Sequence, residues 1–120
     1  MMIDLVDDFE TRIRILSKSL REQVDKKEVV KKVKSYHANA ESIDLDGRTN
    51  IGTFVYDEAF EDFMVLGRKG PSTWIGKYIA ELFPTKRIHL TWVSIEWKRG
   101  SIIYTYDGGE FQEDERKFED

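Results

Sequence analysis

The apolar residues of this chain change their spacing near residue 40, and that change decides which folds are open to it. Before it, Leu5, Val6, Phe9, Ile13, Leu16, Leu20 and Val24 recur every three or four residues, the spacing of a helix with one buried stripe. Asp4 and Asp7 stand where acids suit a helix start. Asp25 followed by Glu28 reads as a second start, an Asp form of the capping box. Val29, Val30, Val33 and Tyr36 then give the buried face of a helix that fades between His37 and Ala40. No Pro or Gly separates the two stretches, so two helices and one kinked helix both remain open.

After residue 40 the pattern alternates. Ile43 and Leu45 alternate with polar neighbours, and Asp46-Gly47 is a hairpin turn signal. Ile51 to Tyr56 reads as the returning strand, and Phe60 to Leu66 as another, although Glu58 to Asp62 also suits a short helix start. A basic loop covers Gly67 to Gly70. Ser72 then caps a helix whose apolar face is Trp74, Ile75, Tyr78, Ile79, Leu82 and Phe83, ended by Pro84. Ile88 to Trp97 is the most strand-like run and is apolar on both faces, which predicts cover on both sides. Lys98 to Gly100 turns, Ile102 to Tyr106 returns, and Asp107-Gly108-Gly109 turns into an edge strand before an acidic end.

The expected fold is therefore α+β: two N-terminal helices, then about five mostly antiparallel strands with one inserted helix. Residues 1–120 read as a single domain, with a helical segment over residues 1–38 packing on a sheet formed by residues 41–118. A curved, cystatin-like sheet around a helix is the second architecture. With 40% hydrophobic and 12% aromatic residues the core needs no staple. There is no cysteine, which excludes disulfides, thiolate metal sites and cysteine nucleophiles. No apolar run is long enough to span a membrane, and the acidic, amphipathic first ten residues lack a secretory leader's pattern. The chain reads as cytoplasmic.

The formal net charge is -4, which argues against general polyanion binding. Charge is uneven, however. Lys26 to His37 holds five lysines and one glutamate, whereas Asp107 to Asp120 holds seven acids against Arg116 and Lys117. The lysine face is a candidate contact for an acidic partner, although a solvated helix face explains it more simply.

The catalytic and metal motifs fail on spacing. Gly70 and Gly76-Lys77 have five residues between the glycines, and Tyr78 follows the lysine. A nucleotide-binding loop needs four and a Ser or Thr. Arg68 and Lys69 before Ser72 and Thr73 retain a milder anion-binding reading at a helix start. Asp44 to Asn50 lacks the glycine and glutamate positions of a calcium loop. His37 and His89 lie in no metal motif. Asp57, Glu58, Glu61 and Asp62 around Phe60 are magnesium-type donors, but a solvated turn explains them too. No cofactor is implied. Trp92, Trp97, Tyr104 and Tyr106 on one hairpin suit either base stacking or a protein interface, with cross-strand packing as the simplest account.

The run Trp74-Ile-Gly-Lys-Tyr-Ile-Ala-Glu81-Leu82-Phe83-Pro84, the strand Ile88 to Trp97 and then Tyr104-Thr-Tyr-Asp107-Gly108-Gly-Glu110 resemble the YubB-like ferredoxin-like family of small plasmid and phage proteins. The resemblance spans roughly residues 54 to 112. The family's Trp-Gly-Thr-Lys-Trp-like stretch before the helix has no counterpart here. The resemblance implies a ferredoxin-like fold and a mobile-element context, and it carries over no catalytic residue.

The functional expectation is a small non-enzymatic interaction or accessory protein with a protein partner or a second copy, as a homodimer. Its binding residues would be Trp92, Trp97, Tyr104, Tyr106, Arg68 and Lys69. Nucleic-acid binding through the Lys26–Lys34 face or the Arg68–Lys69 loop is the alternative.

Overall fold

A computed structural model describes residues 8–39, 53–68, 71–94 and 98–118. The chain runs β1 (Asp8–Ile15), α1 (Lys18–Gln23), α2 (Lys26–Asn39), β2 (Val55–Asp57), β3 (Asp62–Arg68), α3 (Thr73–Leu82), β4 (Ile88–Ser94), β5 (Arg99–Asp107) and β6 (Glu110–Phe118). Among the described residues the strands form one six-stranded sheet in the order β2-β3-β1-β4-β5-β6, antiparallel at every junction. It is an α+β fold, with a strand before the helices.

That first strand corrects the expected N-terminal helix. Phe9, Ile13 and Leu16 satisfy helical spacing, but Phe9, Thr11, Ile13 and Ile15 also alternate with Glu10, Arg12 and Arg14. Thr11, Ile13 and Ile15 are buried and the charged set is half-exposed. Period two wins because β1 fills the slot between β3 and β4, where β-branched side chains pack well. The helical remainder is α1, capped by the Ser17 hydroxyl, which accepts from the Leu20 amide at 3.2 Å. Val24 leaves the helix in extended geometry, so α1 and α2 are separate. Asp25 starts α2 as its sequence suggests, its Oδ1 accepting from the Glu28 amide at 3.1 Å.

The strand expected over Glu41 to Asp46 and the Asp46-Gly47 turn lie outside the described residues, as do Asp4 and Asp7. Of the strand expected over Ile51 to Tyr56, residues 51 and 52 lie outside the described residues, Thr53 and Phe54 are not in a strand, and β2 begins only at Val55; residues 58–61 form a turn rather than a helix. Gly67 and Arg68 belong to β3 rather than to a loop. The Asp107–Glu110 turn is as anticipated: Gly108 and Gly109 take φ of 61° and 85°, which a two-residue hairpin of this hand demands.

The core lies on one face of the sheet. Ile13, Ile15, Phe63, Val65, Ile88, Leu90, Ile102 and Tyr104 meet Val29 and Val33 of α2 and Ile75, Ile79 and Ala80 of α3. Tyr36 links the two helices through Trp74 and Tyr78, with ring centroids 5.6 and 4.8 Å away. Helix α3 sits close to the sheet because of Gly76. A Cβ there would stand 2.7 Å from Leu90 Cδ1 and 2.9 Å from Tyr104 Cε2. The opposite face carries Glu10, Arg12, Arg14, Met64, Leu66, His89, Thr91, Val93, Ser101, Ile103 and Thr105, and none of the described helices packs on it. The double cover expected for Ile88 to Trp97 is therefore not supplied by these helices.

Candidate functional site

The most organised polar group in the structure sits on that open face, around Arg12. Its position follows from the register: Arg12 pairs with Met64 on one side and Thr91 on the other. The β2–β3 hairpin brings Asp57 opposite Asp62. Like charges directly opposite each other across strands repel, so this hairpin end requires a cation. Arg12 provides it. Its Nη1 donates to Asp62 Oδ1 at 2.8 Å and to Asp57 Oδ2 at 3.1 Å, and its Nε donates to Glu10 Oε1 at 2.8 Å. The guanidinium also lies 4.5 Å from the centre of the Phe60 ring, a cation–π contact.

Neighbouring groups complete the arrangement. Asp57 Oδ1 accepts from the Ala59 amide at 3.0 Å, shaping the turn. Glu61 holds the left-handed φ of 55° within it. Arg14 donates to the Phe60 carbonyl and stands 3.9 Å from Asp62 Oδ2. Glu61 reaches Arg21 at 3.7 Å, and Arg21 also donates to the Ile15 and Leu16 carbonyls. Phe60 itself is 56% exposed, and Val55 and Leu66 are 41% and 42% exposed. The register sets Val55 beside Met64 and Leu66 beside Glu10. An apolar patch thus borders a ring of charges.

The ionisation of the group follows from burial and pairing. Burial works against the Arg12 cation, but hydrogen bonds to Glu10, Asp57 and Asp62 outweigh it and hold Arg12 protonated well above the usual range. Burial pushes the Asp62 carboxyl up, against the pull of Arg12 and Arg14. Burial works upward on Asp57 as well, yet the Arg12 hydrogen bond and the amides of Ala59 and Phe60 hold that carboxyl below its usual value. His89 pairs with Arg14 across β1 and β4; burial, and then the Arg14 charge, lower its pKa.

Three of the four acids around Phe60 that suit magnesium by type are engaged otherwise. Asp57 and Asp62 are bound to Arg12, and Glu61 is drawn to Arg21. Among the described residues no group of three or more His, Asp or Glu is arranged to hold a metal ion. Nor is any helix among them long and apolar enough to cross a membrane.

The sequence-predicted binding residues fall elsewhere. Trp92 and Tyr104 are 9% and 1% exposed on the helix-covered face, which corrects their reading as a stacking surface: both are core. Burial, and then Glu113, push the Tyr104 phenol up, while Thr73 hydrogen-bonds it. Tyr106 is half-buried against Phe111, with ring centroids 4.9 Å apart. Arg68 is the last residue of β3, at the position opposite Asp8. Trp97 and Lys69 lie outside the described residues. At the start of α3 the Ser72 amide donates to Thr11 Oγ1, the Thr73 amide to the Pro71 carbonyl and the Ile75 amide to the Ser72 carbonyl. Those three donors are spent inside the protein, and Ser72 is fully buried. Gly76 lies within α3, where it cannot belong to a nucleotide-binding loop.

A helical reading of residues 8–15 hides Arg12, the centre of the group. The signal that reveals it is the alternation of Glu10, Arg12 and Arg14 with apolar residues. Comparisons with protein-family models, with curated proteins and with solved structures gave no match. The resemblance of residues 54 to 112 to YubB-like proteins therefore rests on its own residues.

Proposed function

We propose that this chain is a non-enzymatic protein-interaction module that holds a protein partner on the open face of its sheet. The observation that carries the reading is the exposure of Val55, Phe60 and Leu66 beside the Arg12 group, on a face that none of the described helices covers. An apolar centre with a charged rim is the anatomy of a protein interface. Arg12 is already held by three carboxylates, so it is not a free cation for a phosphate backbone.

We further infer a ferredoxin-like core. The supporting feature is the run β1-α2-β2-β3-α3-β4 with strands ordered β2-β3-β1-β4, the split β-α-β arrangement. The hairpin of β5 and β6 extends that sheet beyond β4.

Nucleic-acid binding is the second reading, and helix α2 favours it. Lys27, Lys31 and Lys34 are exposed and fall at helical spacing on one stripe, opposite buried Val29 and Val33. Photo-crosslinking separates the two. A benzophenone residue at position 66 should give an adduct with one discrete polypeptide, resistant to nuclease and lost in Phe60→Asp while the fold persists. A nuclease-sensitive adduct from position 31, with none from 66, favours nucleic acid instead.

A further inference from the structure

The sheet ends on β6. It has β5 on one side and, among the described residues, no strand on the other. Edge strands present unpaired backbone donors and acceptors, and proteins usually shorten, bulge, charge or cover them. At 9 residues β6 is not short, since strands average about 5–6 residues. Its pairing with β5 is unbroken from Asp107↔Glu110 to Arg99↔Phe118, so no bulge turns it away. Gln112 to Glu115 are exposed.

What remains is charge, and its order is informative. The strand reads Glu113, Asp114, Glu115, Arg116, Lys117. Two identical antiparallel strands related by a two-fold axis must place one residue opposite its own copy. With Glu115 on the axis, Glu113 takes the position opposite Lys117 and Asp114 the position opposite Arg116, and symmetry repeats both pairs. Only Glu115 then faces its like. Moving the axis to Asp114 sets Glu113 opposite Glu115 and leaves only acids at the centre. Moving it to Arg116 keeps one opposite-sign pair and sets Asp114 against Phe118. One register is therefore self-complementary. Lys77 of α3 supports it: its Nζ is 2.9 Å from Glu113 Oε1, which fixes that carboxylate at the edge and adds a positive charge near the axis.

We propose that the chain forms a homodimer by antiparallel pairing of β6 with β6 of a second copy, with the two-fold axis at Glu115. The two sheets become one, and the open faces continue across the junction. This inference stands apart from the open-face reading, because β2 and β3 lie at the other end of the sheet.

Charge-swapped full-length chains test both the dimer and its register. One carries Glu113→Lys with Asp114→Lys; the other carries Arg116→Glu with Lys117→Glu. Circular dichroism checks that each is folded, and sedimentation velocity in low salt reads the assembly. The wild type should be a dimer, weakened by added salt. Each variant alone should dissociate about a hundredfold more readily, since every opposite-sign pair becomes like-sign. An equimolar mixture should recover the dimer, because the register then sets a basic residue against an acidic one at every flanking position. If one double variant does not fold, Lys117→Glu and Glu113→Lys are mixed in the same way. A monomeric wild type, variants that dimerise alone like the wild type, or a mixture that stays monomeric would each overturn the proposal.

Discussion

Replacing Arg12 with methionine keeps a long side chain on β1 but removes the charge that answers Asp57 and Asp62. Asp62 is then a carboxylate whose side chain is 7% exposed, with Arg14 at 3.9 Å as its remaining cation. Removing one member of a buried ion pair costs about 3–5 kcal/mol. Arg12 is 23% exposed and Arg14 stays in place, so the expected loss at neutral pH is about 2 kcal/mol. The loss should depend on pH. Burial raises the folded Asp62 carboxyl above its unfolded value of about 3.9, so the folded state takes up that proton first. Asp62's contribution is then fully present below the unfolded value and is lost as pH rises through the folded one. Asp57 has the opposite sign: its lowered pKa gives stability above the unfolded value, lost as pH falls through the folded one. Removing Arg12 takes away the part of the Asp57 gain that Arg12 supplies, leaving the share of the Ala59 and Phe60 amides, and deepens the Asp62 cost. Both effects fade on acidification, so the Arg12→Met penalty should shrink as pH falls toward about 4. Urea unfolding followed by the fluorescence of buried Trp92 measures it. A loss below about 0.5 kcal/mol, a penalty constant with pH, or the same penalty in an Asp62→Asn background would refute the reasoning.

The remaining predictions concern packing and caps. Gly76→Val should cost about 2–3 kcal/mol, because its Cβ would meet Leu90 and Tyr104 below 3.0 Å; thermal melts check it. Ser72→Ala should be neutral or stabilising by up to about 1 kcal/mol, since among the described residues the buried Ser72 hydroxyl has no hydrogen-bond partner; a clear loss of stability in urea would contradict this. Asp25→Ala removes the side-chain acceptor of the Glu28 amide and should cost about 1 kcal/mol, read by denaturant midpoint at unchanged m-value.

Much of this architecture is legible in the sequence wherever one period dominates. The stripe from Trp74 to Phe83 with Pro84 behind it gives α3, and alternation with Asp107-Gly108-Gly109 gives the β5–β6 hairpin. Residues 8–15 satisfy two periods at once, and only the slot between β3 and β4, formed by residues some fifty to eighty positions later, selects the strand. The Arg12 group is hidden for the same reason. Its members Glu10, Asp57 and Asp62 meet only after three strands are registered. Tyr104 and Trp92 mislead in the other direction. Their chemistry suits a surface anchor as well as a core; both lie on the helix-covered face, and the close approach of α3 at Gly76 is what covers Tyr104.

Adjacent residues of β3 give the most direct test that one face of the sheet is covered and the other open. The chain has no cysteine, so a single introduced thiol reports one position. Val65 is fully buried and Leu66 is 42% exposed, one on each face. In the purified protein under native conditions, Leu66→Cys should react with a thiol reagent at nearly the rate of an unfolded chain. Val65→Cys should react only as fast as the fold opens. Equal protection of both, or faster labelling of position 65, would contradict the open face and the register that places Arg12 on it.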